Sequence, residues 1–63
     1  MMEIGDCFFD GKYYIFVIKE DHYRLKKCEV YEFETGRYIG YTVEQVGTLL
    51  NMRKLTPLEK ELM

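Results

Sequence analysis

The stretch Tyr13-Tyr14-Ile15-Phe16-Val17-Ile18 is apolar at every position, with Asp10-Gly11 before it and Glu20-Asp21-His22 after it. Side chains along a strand alternate between the two faces of a sheet, so a run with no polar residue on either parity needs cover on both sides. That requirement predicts a central strand. As a helix, the run is far short of the roughly 20 residues that span a bilayer, and no membrane segment is expected. Asp-Gly between two apolar runs is a strong hairpin signal, because the turn needs residues that tolerate positive φ. Residues 4–9 (IGDCFF) and the strand that starts at Lys12 are therefore expected to pair.

Residues 20–22 read as the next turn, after which residues 23–33 (YRLKKCEVYEF) resume a β-rich composition up to Glu34-Thr35-Gly36. Parity slips within this third strand: Tyr23 and Leu25 share one face, Cys28 and Val30 the other. One inserted residue near Lys26-Lys27 would produce that slip and bend the strand. Residues 37–42 (RYIGYT) supply a fourth strand, in which Gly40 marks a bend or a close backbone approach. Thr42 with Gln45 fits a capping box and predicts a helix over 43–51, with Val43, Val46, Leu49 and Leu50 apolar and Gly47 allowing close packing on the sheet. A second capping box, Thr56-Pro57-Leu58-Glu59, opens a helix of barely two turns. So short a helix is not stable alone, and Leu55, Leu58, Leu62 and Met63 need a surface to dock on.

These elements predict one domain over residues 1–63, with a helical segment over about 43–63. The expected fold is mainly β (α+β): a small antiparallel, SH3-like, partly open barrel of four to five strands with a short C-terminal helix or two. A chain that is 48% apolar and 16% aromatic is expected to fold, with dense aromatic packing making up for its size. Cys7 and Cys28 lie in apolar runs at no metal-ligand spacing and read as small buried thiols. His22, the single histidine, reads as a polar turn residue. No catalytic residue, metal site or cofactor is expected, and a chain of this length leaves little room for a concave pocket, so the protein is not expected to be an enzyme.

The pattern IGDCFF, KYYIFVI, YRL and ETGRYIGYT before a capped helix resembles the very short SH3-like barrel proteins encoded by bacteriophages and prophages of Gram-positive hosts, over residues 4–50. The resemblance implies an accessory protein that binds a host or phage macromolecule, and it carries over no site residue. With an acidic N-terminus that lacks the apolar core of a signal peptide, the cytoplasm of a bacterial host is the expected location.

The first functional expectation is a non-catalytic, phage-encoded interaction module that modulates or inhibits a host protein. Its contact residues would be Glu29, Tyr31, Glu32, Glu34, Tyr38 and Tyr41. Neighbouring strand residues point to opposite faces, so Tyr13 and Tyr14, and likewise Tyr38 and Tyr41, cannot share one core and some must be at the surface. Surface tyrosines beside carboxylates suit a basic partner. The second expectation is a single-strand nucleic-acid-binding barrel using Lys19, Tyr23, Arg24, Lys26 and Lys27, which a formal net charge of -2 opposes. The third is a homo-oligomer joined through Leu55, Leu58, Leu62 and Met63.

Overall fold

The computed structural model describes residues 2–63, apart from the side chain of His22. Five strands, β1 (Cys7–Phe9), β2 (Tyr13–His22), β3 (Leu25–Glu32), β4 (Tyr38–Gln45) and β5 (Arg53–Lys54), form one open antiparallel sheet in the order β4-β3-β2-β1-β5. Two short helices, α1 (Val46–Leu50) and α2 (Pro57–Glu61), flank β5. The protein is thus a small, mainly-β fold. β2 sits at the centre of the sheet, where its uninterrupted apolar run belongs. Among the described residues no helix is long and apolar enough to cross a membrane.

Register explains the core. Phe8 pairs with Ile15, Ile15 with Val30, and Val17 with Cys28, so these side chains share one face of the sheet. Leu49 of α1 packs onto that face and is fully buried, with Met2, Tyr13, Val30 and Met52 around the cluster. Fully burying a side chain such as Phe8, Val17 or Leu49 contributes about 1.5–3 kcal/mol each, which makes α1 a structural lid despite its single turn and a half. The β1–β2 hairpin forms at Asp10-Gly11 as expected, though by a different device. Only Gly11 adopts positive φ, at 103°. Asp10 instead accepts the backbone N–H groups of Lys12 and Tyr13 on its Oδ1, both at 2.8 Å.

The second hairpin departs from the sequence reading. β2 continues through Glu20, Asp21 and His22, and the turn falls on Tyr23-Arg24, so the His22 backbone lies in a strand and not in a turn. Nor is there an insertion at Lys26-Lys27: β3 pairs with β4 without a break from Leu25↔Gln45 to Val30↔Gly40. The extra residues are in β2, where the register shifts between Val17 and Lys19 and again between Glu20 and His22. The parity slip in β3 has another cause. Lys26 alternates inward with Cys28; its side chain is 5% exposed, and Nζ lies 3.1 Å from Glu20 Oε1 at the rim. An apolar stem buried under a charged tip satisfies both media.

β4 also outruns its expected end, taking residues 43–45 from the anticipated helix. Thr42 caps nothing; its hydroxyl donates to Glu44 Oε2 at 3.0 Å within the strand. α1 starts at Val46 with no side-chain cap from Gln45. Gly47 is exposed, and a Cβ there would meet nothing, so it allows no close approach to the sheet. Gly40 does mark a bend: Val30 pairs with Gly40 and Tyr31 with Tyr38, which leaves Ile39 as the extra residue of a bulge, and Gly40 adopts φ 149°. The capping box of α2 forms as read, with Thr56 Oγ1 accepting from Glu59 N at 3.2 Å and Glu59 Oε1 accepting from Thr56 N at 3.0 Å.

Two stability predictions follow from these placements. Gly47→Ala is expected to raise stability by about 0.5–1 kcal/mol, read as a higher urea midpoint, because the site is open and the helix loses a flexible residue. Glu20→Ala is expected to cost about 1–2 kcal/mol by leaving the Lys26 ammonium without its carboxylate, yet to cost almost nothing in a Lys26→Met background. Equal costs in both backgrounds would mean that the pair is not coupled.

Candidate binding face

On the face of the sheet opposite the core, the registers align two rows of side chains. Phe9 pairs with Tyr14, Tyr14 with Tyr31, and Tyr31 with Tyr38, which gives one aromatic residue from each of four adjacent strands. Arg53 of β5 pairs with Phe9 at the end of this row. The next row runs Cys7, Phe16, Glu29, Tyr41 by the same pairings. Ring centroids stand 5.2 Å apart for Phe9–Tyr14, 5.5 Å for Phe16–Tyr31, 5.3 Å for Tyr31–Tyr38 and 6.0 Å for Tyr38–Tyr41. Phe33, from the turn after β3, joins at 5.1 Å from Phe9 and 5.6 Å from Tyr14. Tilted and edge-on pairs at such distances contribute about 0.5–1.5 kcal/mol each beyond area burial. The second face of the β2 run is therefore covered by its own neighbours' rings.

The bulge at Ile39 decides the composition of this face. Simple alternation would separate Tyr38 from Tyr41, but the extra residue brings both to the same side, in contact with each other. Tyr38 has its hydroxyl pushed up to about 12 by desolvation first, then by hydrogen bonding with Tyr41 and the nearby Glu29 carboxylate. Tyr41 is 64% exposed and Tyr38 44%.

The C-terminal segment builds a wall beside the rings. Leu55 is buried, and its N–H donates to the Cys7 carbonyl at 2.9 Å. Lys60 Nζ donates to the Gly5 carbonyl at 3.1 Å, and Arg53 pairs with Glu59 Oε2 at 2.7 Å. The Glu59 carboxyl is held below its ordinary range chiefly by the Thr56 N–H, then by Arg53. Between this wall and the sheet lies an open groove of about 790 Å³, lined by Phe16, Ile18, Glu29, Leu62 and Met63 among others. The expectation that so small a chain has little room for a concave pocket concerned an enclosed core cavity; the groove is open, formed where the C-terminal segment stands beside the sheet.

Cys7 shares the Phe16 row and is covered by the C-terminal segment, whereas Cys28 shares the Val17 face inside the core. The two thiols lie on opposite faces of the sheet and are free. Burial pushes each up to about 11, opposed at Cys7 by hydrogen bonding with the Ile15 backbone and then by Lys60, and reinforced at Cys28 by the Glu44 carboxylate. Burial that disfavours the thiolate in this way makes a thiol a poor nucleophile near neutral pH.

Of the residues the sequence singled out for a protein contact, Glu29, Tyr31, Tyr38 and Tyr41 come together on this face. Glu32 and Glu34 do not: Glu32 pairs with Tyr13 on the other face and accepts from Thr35 at 2.7 Å, and Glu34 lies in the following turn. The nucleic-acid set is broken up. Lys26 is withdrawn into the core side, Tyr23 and Arg24 stack on each other in the turn at 5.2 Å, and Lys27 Nζ sits 5.0 Å over the Tyr41 ring. Lys19 pairs with Lys27. In the oligomer set, Leu55 is buried within its own chain, while Leu58, Leu62 and Met63 are exposed. Sequence reasoning missed Phe9, Tyr14, Phe16 and Phe33 as parts of the face; Tyr14 and Phe16 share parity, the only local signal. Among the described residues no group of histidine, cysteine and carboxylate side chains is arranged to hold a metal. Comparison with family models, curated proteins and solved structures finds no match to this chain.

The cover over Cys7 gives a local test. Thr56→Ala removes the cap of α2 at a cost of about 1 kcal/mol, so local opening should become roughly fivefold more frequent. Labelling of Cys7 by a disulfide reagent at mildly alkaline pH is expected to accelerate by that factor, while Cys28 keeps its rate. Equal acceleration at both thiols would show global unfolding instead.

Proposed function

We propose that this protein is a non-catalytic interaction module that docks a protein partner on the aromatic outer face of its sheet. The observation that carries the reading is the register-aligned row Phe9, Tyr14, Tyr31 and Tyr38, extended by Tyr41. Phe9, Tyr14 and Tyr31 are half-buried and Tyr38 and Tyr41 exposed, and a contiguous, partly exposed aromatic surface of this kind is a recognised mark of an interaction site. Tyrosines held by a sheet lose little entropy on binding and keep a satisfiable hydroxyl, which is why they dominate contact energies.

Charge favours a protein over a nucleic acid. Glu29 stands in the middle of the rings, Lys26 is buried, and the chain carries a formal net charge of -2. A phosphate polymer needs an open field of cations, each releasing counterions on contact. The connectivity, a four-strand meander followed by a helical turn and a fifth strand returning beside β1, is compatible with an SH3-like barrel. On the resemblance to short phage accessory proteins, the partner is a host protein in the bacterial cytoplasm, and occupying its surface modulates or inhibits it.

Exchanging Tyr38 and Tyr41 for serine tests the proposal. The double variant is expected to keep its far-ultraviolet circular dichroism but to lose at least about tenfold in partner capture from host lysate, as removal of two interface tyrosines should. Undiminished capture of the same protein would remove this face from consideration. Labelled single-stranded oligonucleotides are expected to show no saturable binding at low salt; tight binding there would turn the reading toward nucleic acid.

A further inference from the structure

Glu29 is the one acidic residue framed by the rings. Its cross-strand partners are Phe16 on one side and Tyr41 on the other, and Tyr31 follows it two residues along β3 on the same face. It is half-buried and lines the groove below α2. Among the described residues its carboxylate makes no hydrogen bond or ion pair; the ion pairs are Lys26–Glu20, Arg53–Glu59 and Lys54–Asp6. The fourth side is closed by Lys27, whose ammonium is turned over the Tyr41 ring at 5.0 Å. A carboxylate partly withdrawn from water beside several rings attracts a cation by its own charge, and the ring quadrupoles nearby add to that attraction.

The geometry points to a specific ligand chemistry: the site receives an arginine side chain of the docked partner, its guanidinium bonded to the Glu29 carboxylate and lying against the ring of Tyr41 or Tyr31. This deepens the docking proposal and rests on it. Arginine fits better than lysine because its planar fork can bond both carboxylate oxygens while it stacks, and because its weaker hydration makes partial burial easier. The rest of the groove, walled by Phe16, Ile18, Leu62 and Met63, suits an apolar side chain next to that arginine in the partner. Lys27 acts as an internal competitor: its cation occupies part of the same field and has to yield when the partner's cation enters.

The test uses the full chain and N-acetyl-arginine methylamide as probe, with the neutral near-isostere N-acetyl-citrulline methylamide beside it, followed by nuclear magnetic resonance. Saturable shifts confined to Glu29, Tyr31, Tyr38 and Tyr41 are expected with the arginine probe, at least about fivefold tighter than with citrulline, as charge-assisted bonding requires. Glu29→Gln should weaken arginine binding by about tenfold, and Lys27→Gln should strengthen it by removing a like charge. Equal binding of the two probes, no saturable shift with either, an indifferent Glu29→Gln, or weaker binding in Lys27→Gln would each overturn the inference. The wild-type comparison of arginine with citrulline stands even if a variant fails to fold. The tyrosine double variant separates this inference from the docking proposal. If it loses the partner while Glu29→Gln captures as well as wild type, docking stands and the arginine site falls; if it retains the partner, docking itself falls.

Discussion

The structure depends on keeping water from both faces of β2. Ile15 and Val17 point to one side, Tyr14 and Phe16 to the other, and a sheet of a few short strands has only so much material to cover them. The two sides are covered by different means. Leu49 and the β1 and β3 side chains close the first into a dry core. The second is covered sideways, by rings of adjacent strands leaning on one another at 5.2 to 5.5 Å. Rings that shelter a neighbour while keeping their own outer faces in water form a surface that is half core and half solvent-facing. The aromatic content that a small chain needs for stability thereby also leaves rings at its surface.

Bulges turn that cover into a particular surface. The shifts at Ile18 and Asp21 let β2 twist past β3, and Ile39 in β4 moves Tyr38 and Tyr41 to the same side. A one-residue slip exchanges inside for outside along the rest of a strand. Without the slip at Ile39, Tyr38 would lie on the core side of β4 and the ring row would stop at Tyr31. Gly40, at φ 149°, supplies the backbone freedom that the bulge needs.

The C-terminal segment acts at the opposite edge. β5 adds only two residues to the sheet, but it delivers Leu55 over Cys7 and sets α2 against the rings, held by the Thr56–Glu59 cap, the Arg53–Glu59 pair and the Lys60 bond to Gly5. Each of these contacts is exposed and individually weak. Their sum keeps the wall of the groove standing through exposed contacts, the kind of attachment that opens locally.

Local chemistry alone reveals the central strand, the Asp10-Gly11 hairpin, the Thr56 cap and the mainly-β class, because each rests on a propensity or a pattern that neighbouring residues carry by themselves. Where the signal was equivocal, the fold decided. An inward lysine and an inserted residue leave the same trace in a string of parities, and only the packing of Lys26 against the core with Glu20 at the rim distinguishes them. Thr42 satisfies a capping pattern as well as Thr56 does, yet pairing with β3 carries its strand on to Gln45 because ladder bonds outweigh a local cap. The site lies almost wholly on the tertiary side of this division. Tyr31, Tyr38, Tyr41 and Glu29 could be named from composition, but the rows that join them to Phe9, Tyr14 and Phe16 exist only through register. Register is a relation between strands, and no single segment contains it.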